Sequence, residues 1–566
     1  MRVNLNILKL FVCCSMAMLV IACENGEGGE NGGENTGGNT EALYEKEGYN
    51  IMGTVTCNGV GVRNVVVSDG TKVTKTDASG RFWIKSDLDF KPEVFISVPS
   101  GYETVDRKGT GMAFYAYTED TDKVQTFHFT LKEVNQSNYE LLAMADSHVL
   151  GGAKGGKYTQ GSTLDTTFYR RTFIPAFRSY IKRATGEGRR VYAVHCGDMT
   201  QQTAWGYYGV QEYCDDTSIV EEIHIFNALG NHDHDHCNQA NNKQEYTEEN
   251  QQLSRTSFRK AVGPGYYSFN IGSEHYVVLD NMFIIKHETD YKDKVDPLQI
   301  AWLKKDIQAM DKKTVKGLVV VMHSAYRWLD NKADLDEIFK DYPVTYIIGH
   351  HHCDRTYISQ SSTGKTIKEF WTPSLAGTAW LHTMCGDGTP RSYISYRFKN
   401  GVVTDRVFKT FDEEYKNNAK SYRVYDNGSN SAVDYKVHHA SGDNTKRADE
   451  IAYENANEST LRPAAIINAW GAYTCEYTGS EDVTTSSAVY DLSYRDWYWE
   501  SHASSDRNSI YASANGGQGP AHQLPSKAIP HIWRFSLNKS SSTTTTLPIV
   551  LKDAQGKETR VTLNLK

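Results

Sequence analysis

Five short polar clusters, each directly behind an apolar run, set the tightest limit on what this chain can fold into. They are Asp146-Ser147-His148, Gly197-Asp198, Gly230-Asn231-His232-Asp233, Met322-His323 and Gly349-His350-His351-His352. The runs before them, 139–145, 191–196, 223–229, 318–322 and 344–348, read as buried strands. Asp, His and Asn side chains at the C-terminal ends of several strands converge in the crevice where α/β proteins bind ligands. Imidazole nitrogen, carboxylate and amide oxygen, without thiolate, are the donors of hard or borderline divalent ions. The pattern therefore predicts an α/β fold carrying a two-metal hydrolytic site.

Singly the clusters differ in weight. A Gly-Asp pair such as Gly197-Asp198 is usually a turn, and a lone His323 behind Val319-Val320-Val321-Met322 reads equally well as a satisfied core histidine. Asp146 and His148, two apart at a strand end, can reach one ion. Gly230-Asn231-His232-Asp233 is more specific, because it sets an amide oxygen, an imidazole and a carboxylate in one turn. His350, His351 and His352 crowd three imidazoles together, which a metal relieves by binding the neutral nitrogen.

The length of 566 residues suggests roughly three to four domains. From 48 to 134 short runs rich in Val, Ile, Thr and Phe alternate with the turns Ser68-Asp69-Gly70 and Ala78-Ser79-Gly80, as in a small β-sandwich. No cluster of ligand residues occurs there, so a spacer or stabilising role is expected. From 138 to 410 strands alternate with helices. Phe173, Phe177 and Ile181 mark one helix face, and Asp296-Pro297 reads as an N-cap and first turn before the stripe Ile300, Leu303, Ile307 and Met310. From 416 to 566 the β pattern returns and ends in a hairpin around Asp553-Ala554-Gln555-Gly556.

Residues 1–23 read as a targeting segment. Arg2 and Lys9 precede an apolar stretch at 10–22, too short to span a bilayer comfortably. Leu19-Val20-Ile21-Ala22-Cys23 resembles a bacterial lipobox, with Cys23 the lipidated residue. An ordinary secretory signal with an incidental Cys23 is the alternative. The Glu, Asn, Gly and Thr of 24–47 favour the lipoprotein, since they make a flexible acidic tether unable to bury a core. That tether loosely resembles surface-export signals of Bacteroidetes lipoproteins. The expected location is the bacterial outer membrane, on its periplasmic or cell-surface side, held by acyl chains. The seven cysteines after Cys23 show no C-x-x-C pairing, which excludes a disulfide scaffold. A formal charge of −8 gives no basic excess, so no specific nucleic-acid partner is expected.

Taken in order, the five clusters resemble the calcineurin-like metallophosphoesterase superfamily, whose pattern is D-x-H, G-D, G-N-H-(D or E), H and G-H-x-H. The resemblance implies an αββα sandwich, here flanked by an N-terminal β-sandwich and a C-terminal mostly-β domain. It implies two divalent ions (Mn, Fe, Zn or Mg), one held by Asp146, His148 and His352, the other by Asn231, His323 and His350, with Asp198 bridging. His351 falls on the variable position. His232 matches a non-ligand residue that protonates the leaving oxygen or stabilises the transition state, with Asp233 or Asp235 to orient it. Some relatives carry an orienting Asp three residues after the bridging Asp, and purple acid phosphatases carry a Tyr ligand there; Gln201 occupies that position here. Gly263-Pro264-Gly265-Tyr266-Tyr267-Ser268-Phe269, Asp387-Gly388-Thr389-Pro390 and His531-Ile532-Trp533-Arg534 look like a Bacteroidetes-type branch with β domains on both sides. Arg391-Ser392-Tyr393 departs from it where a Gly before the Tyr is more usual.

Two ions about 3.5–4 Å apart can clamp the attacking and leaving oxygens of an in-line displacement and turn water into a hydroxide nucleophile near neutral pH. The expected activity is hydrolysis of a small-molecule or glycan-linked phosphate ester, monoester or diester. Lys154 and Lys157 are candidates for a phosphate, and Trp205, Tyr207, Tyr208 and His382 for the cleft wall, though solvated or packing roles suit all of them as well. The competing reading is a non-catalytic surface lipoprotein that binds glycan or protein through its β domains. A complete ligand set argues against it.

Overall fold

Each of the five apolar runs forms a strand that ends where its polar cluster begins. In the computed structural model the described residues are 45–87, 93–105, 114–119, 123–149, 168–201, 208–217, 220, 222–237, 245–377, 385, 387, 389–411, 421–426, 462–480, 483–487, 531–537 and 543–565. Cys23 and the leader, Lys154, Lys157, Trp205, Tyr207 and His382 lie outside them, as does the side chain of Tyr208.

Beside a small hairpin of Met282–Ile284 with Tyr291–Asp293, the strands of the central region are β1 (Asn138–Met144), β2 (Arg190–His195), β3 (Ile225–Asn227), β4 (Tyr267–Ile271), β5 (Glu274–Val278), β6 (Gly317–Val321), β7 (Val344–Ile348), β8 (Arg355–Gln360), β9 (Thr366–Trp371), β10 (Ser392–Lys399) and β11 (Val402–Thr410). They make two sheets, ordered β3-β2-β1-β10-β11 and β4-β5-β6-β7-β9-β8. The strands that carry clusters run parallel to their cluster-bearing neighbours: β1, β2 and β3 in the first sheet, β6 and β7 in the second. Their polar ends therefore point the same way within each sheet.

The stretch 141–145, in β1 and just after it, is continuously apolar for a reason visible in the packing. Leu141, Ala143 and Ala145 join the core between the sheets with Val319, Val321 and Ile347. Leu142 and Met144 face the other way, onto Phe177, Ile181 and Ala184 of helix α1 (Ile174–Gly186). A period of two thus splits one run between two buried layers, as expected of a strand covered on both faces. Helix α2 (Pro297–Ala309) starts as its sequence predicts: the Asp296 carboxylate accepts from the N–H groups of Leu298 and Gln299, and Pro297 fills the first position. Its Ile300, Leu303 and Ile307 join the core of the second sheet. The αββα sandwich expected from the sequence is the fold found.

Two β regions flank it. In the N-terminal one, Ile51–Cys57 pairs with Arg81–Ile84 and, in parallel, with Gln125–Glu133, while a second sheet is built on Val66–Ser68 and Glu93–Ser97. It is fastened to the central domain by Arg259, which donates to both oxygens of Glu93 at 2.8 and 3.0 Å, and by Trp302 Nε1 donating to Ser68 Oγ at 3.1 Å. In the C-terminal one, Arg462–Asn468 and Ile532–Leu537 pair in one sheet, and Ala472–Tyr477, Thr546–Asp553 and Glu558–Asn564 form another. Ile467, Phe535, Leu547, Ile549 and Leu551 fill a core of their own.

A buried acid at the start of β5 makes stability depend on pH. Glu274 is 6% exposed, and burial pushes its carboxyl up to about 7, against the weak donor Ser273 Oγ at 3.4 Å. A carboxyl whose folded pKa is raised stabilises the fold in its protonated form. That contribution is complete below the unfolded value near 4.3 and is lost as pH rises through about 7. Glu274→Gln is expected to gain about 2 kcal/mol over the wild type at pH 8 and little at pH 5, read as thermal unfolding at both. An equal gain at the two pH values would show that the ionisation is not involved.

Candidate metal centre

The five clusters gather at one place because two sheets bring their strand ends together. Asp146 and His148 follow β1, Asp198 follows β2, Asn231 and His232 follow β3, His323 follows β6, and His350 and His352 follow β7. Close approach explains the glycines. A Cβ on Gly230 would sit 2.1 Å from Asp198 Oδ1, and one on Gly197 would sit 2.6 Å from His323 Nδ1. Only a bare backbone lets these turns touch.

Backbone strain is concentrated in the same turns. Among the described residues, the non-glycine positions with positive φ are Asn58, Asn64 and Asn400, and then Asp146, His148, Asp198, His350 and His352. Asparagine, aspartate and histidine enter this region more readily than other non-glycine residues, but still at a cost of roughly 1–3 kcal/mol each, and keep it where their surroundings hold them. All five aspartates and histidines among them are predicted metal ligands.

The donor atoms fall into groups. Asp146, His148 and His352 bring one ligand atom each to within 4.8 Å of one another, and so do Asp198, His323 and His350. Asp198 lies between them, its Oδ2 3.1 Å from His323 Nε2 and 3.8 Å from His148 Nε2. Asn231 turns its Oδ1 to His323 Nε2 at 3.2 Å, while its Nδ2 donates to the Glu288 carbonyl at 2.8 Å, which fixes the amide's direction. His351 instead packs its ring against Trp328 and Trp371, centroids 4.3 and 4.1 Å away.

Three of the imidazoles, those of His323, His352 and His350, are aimed by what the far nitrogen touches. Nδ1 of His323 faces the Cys196 carbonyl at 2.7 Å, and Nδ1 of His352 faces the Gly377 carbonyl at 2.8 Å. For His350 it is Nε2, against the Tyr291 hydroxyl at 2.9 Å. A carbonyl only accepts, so it holds the far nitrogen as N–H and leaves the inner nitrogen bare for an ion. Tyr291, a residue the sequence did not single out, therefore belongs to the site.

The residues fit a pair of cations. Inner nitrogens face each other at 3.0 Å (His148 Nε2 and His352 Nε2) and at 3.1 Å (His350 Nδ1 and His323 Nε2). Burial, beside other imidazoles, holds His148 and His350 well below the ordinary histidine range and brings His352 down to about 4. These are neutral lone pairs pointed at a common centre, which is the form that binds metal. Burial pushes Asp146 well above the usual carboxylate range. Asp198 is held well below it: burial raises it, but His323 and His232 outweigh burial. His323, lowered by burial but faced by Asp198, rises to about 9. Cationic charge is what this cluster attracts.

Residues 140–354 match the family model for the calcineurin-like phosphoesterase, and residues 49–134 match that for the N terminal of the calcineurin-like phosphoesterase. The chain carries a calcineurin-like phosphoesterase domain. No curated protein matches its sequence. Among solved structures it is similar to a dimetal phosphatase from Danio rerio at 14% identity, covering 48% of this chain and 95% of that one with a TM-score of 0.29. It is also similar to a purple acid phosphatase from yellow lupin (Lupinus luteus), at 10% identity, 60% and 68% coverage and TM-score 0.32. A third is the NAD nucleotidase of Haemophilus influenzae, at 11% identity, 48% and 50% coverage and TM-score 0.27.

Around His232 the phosphoesterase domain departs from the sequence expectation. Neither Asp233 nor Asp235 orients the ring. His232 Nδ1 faces the backbone carbonyl of Gln201 at 2.5 Å. The Asp233 carboxylate points back into the turn and accepts from the N–H groups of Gly230, Thr200 and Met199 at 2.9, 3.0 and 3.3 Å. Burial, then the Asp198 charge, pushes it up to about 6. Asp235 Oδ2 accepts from Ser257 N at 2.8 Å. The aspartate that closes this one-turn helix takes the unpaired N–H of Gly230 in its own turn and two more from the loop after Asp198, and is thereby turned away from the ring beside it. Asp233 shapes the turn that carries Asn231 and His232. Cys196 and Cys353 are buried, and all seven described cysteines are unpaired.

Proposed function

We propose that this protein hydrolyses phosphate esters at a dinuclear metal centre. One ion is held by Asp146, His148 and His352, the other by Asn231, His323 and His350, with Asp198 shared. The observation that carries the reading is the set of inner nitrogens and carboxylate oxygens around Asp198, with the outer nitrogens of His323 and His352 tied to carbonyls and that of His350 to Tyr291. Bound Mn, Fe, Zn or Mg ions would supply Lewis acidity and offset charge on the phosphoryl oxygens. His232 has its backbone N–H on Asp198 Oδ1 at 2.9 Å and its Nδ1 on Gln201. Its Nε2 is thereby the nitrogen that delivers a proton to the leaving oxygen. The substrate is a small-molecule or glycan-linked phosphate ester. The lipobox-like ending at Cys23 and the acidic tether behind it support export and lipid anchoring at a bacterial outer membrane.

The test loads the purified chain with Mn²⁺, Zn²⁺ or Fe²⁺ and assays an aryl phosphate monoester beside the matching diester. Two ions per chain and hydrolysis of at least one ester are expected. A chain inert with all three metals overturns the catalytic reading. For the anchor, Cys23→Ser is expected to move the protein from the membrane fraction to the soluble one; an unchanged distribution would sink that part.

A further inference from the structure

Two sequence blocks outside the metal motifs meet in the fold. Asp387, at the head of Asp387-Gly388-Thr389-Pro390, and His531, at the head of the C-terminal block, are 4% and 2% exposed. His531 Nε2 lies 2.9 Å from Asp387 Oδ2, and Nδ1 lies 2.7 Å from Asn468 Oδ1. The direction of the Asn468 amide is set by its Nδ2, which donates to the Asp387 carbonyl at 2.8 Å. Carboxylate and amide oxygens only accept, so His531 donates from both nitrogens. His531 and Asn468 belong to the C-terminal β domain, so this buried set is a bond between domains.

The same Asp387 Oδ2 accepts the backbone N–H of Asp354 at 2.8 Å. Asp354 stands two residues after His352, and its carboxylate receives Arg406 Nη2 at 2.7 Å and the N–H of Gly471 at 2.5 Å, the latter again from the C-terminal domain. The turn thus fixed contains His350 at φ +69° and His352 at φ +47°. Strained conformations of this kind persist only where the surroundings over-determine them. His350 has anchors of its own, since its N–H donates to Asp146 and its ring is held by Tyr291. For His352 the Gly377 carbonyl aims the ring, and the next tie along the backbone is Asp354 to Asp387.

Given the dinuclear centre proposed above, we infer that Asp387 and His531 are positioning residues of that centre. Through them the C-terminal β domain fixes the turn from His350 to Asp354, and with it the ion held by Asp146, His148 and His352. The second ion would be held by Asn231, His323 and His350; the first two lie outside this turn, and His350 is fixed independently by Asp146 and Tyr291.

The experiment titrates the full chain with Mn²⁺, reading bound metal by elemental analysis and affinity by calorimetry, with thermal unfolding alongside. The variants are His531→Gln and Asp387→Asn, with Asn468→Ser as a milder cut should either fail to fold. Lys557→Ala is the control, because it breaks the exposed 2.8 Å contact to Asp405 between the same two domains without touching the turn. Two ions are expected in the wild type and in Lys557→Ala. In the other variants one ion stays tight and the second weakens about 10–100-fold, with hydrolysis recovered at high Mn²⁺. Variants that lose thermal stability yet bind both ions as the wild type does overturn the inference and leave a purely structural contact. Equal weakening of both ions overturns it too. A wild type that binds no ion overturns the metal centre itself, and this inference with it.

Discussion

Asp198→Ala is expected to lower phosphate-ester hydrolysis by about 10³-fold or more, the scale of losing a group on which transition-state charge stabilisation depends. The carboxylate touches both halves of the site, with Oδ2 3.1 Å from His323 Nε2 and 3.8 Å from His148 Nε2. Oδ1 accepts the backbone N–H of His232 at 2.9 Å, so the same residue also sets the turn that presents the general acid. Alanine leaves Asp146 as the remaining carboxylate of the ligand set, and two cations at short range would lose the carboxylate that offsets their repulsion. Metal content should fall below two per chain while the fold persists, because the sheets draw on the apolar residues of β1, β2, β6 and β7. Elemental analysis and circular dichroism on the same sample check both halves. A variant with two ions and wild-type turnover would remove Asp198 from the centre.

The apolar runs were legible because their residue types carry the information: continuous Leu, Ala and Met at 141–145, or Leu, Val and Met at 318–322, leave no polar face to mistake. The helix start at Asp296-Pro297 was equally readable, since both residues act within their own turn. What stayed hidden lies in contacts made by the main chain. The acceptors that aim His323, His352 and His232 are the carbonyls of Cys196, Gly377 and Gln201, and every residue has a carbonyl. Tyr291 gave no signal among 35 tyrosines, and only a hairpin pairing Met282–Ile284 with Tyr291–Asp293 brings its hydroxyl to His350. The expectation that Asp233 orients His232 failed for a related reason. Adjacency in sequence suggested a side-chain pair, but the nearer unpaired N–H groups took the carboxylate. The tie between Asp387 and His531 spans 144 positions, and nothing in either block names the other.

His232→Ala is expected to cut kcat by roughly 10²–10⁴-fold, the contribution of a positioned general acid, while leaving two ions bound. The ring stands beside the ligands, its centroid 5.1 Å from that of His148, and one of its nitrogens lies within 4.8 Å of ligand atoms of His148 and Asp198. Like His323 and His352 it has a backbone carbonyl on Nδ1, so Nε2 is the nitrogen turned to the site and the one that can pass a proton to a leaving oxygen. Removing the ring therefore removes a proton donor without removing an anchor of Asn231, whose amide is fixed by Glu288. The loss should grow as the leaving group becomes more basic: small for an aryl ester whose phenolate departs unaided, large for an alkyl ester that needs the proton. Paired aryl and alkyl phosphates assayed on the metal-loaded variant separate the cases. A loss of the same size for both esters, with metal content intact, would leave His232 stabilising charge on the phosphoryl group and not protonating the leaving oxygen. A loss that tracks falling metal content would instead place it among the ligands.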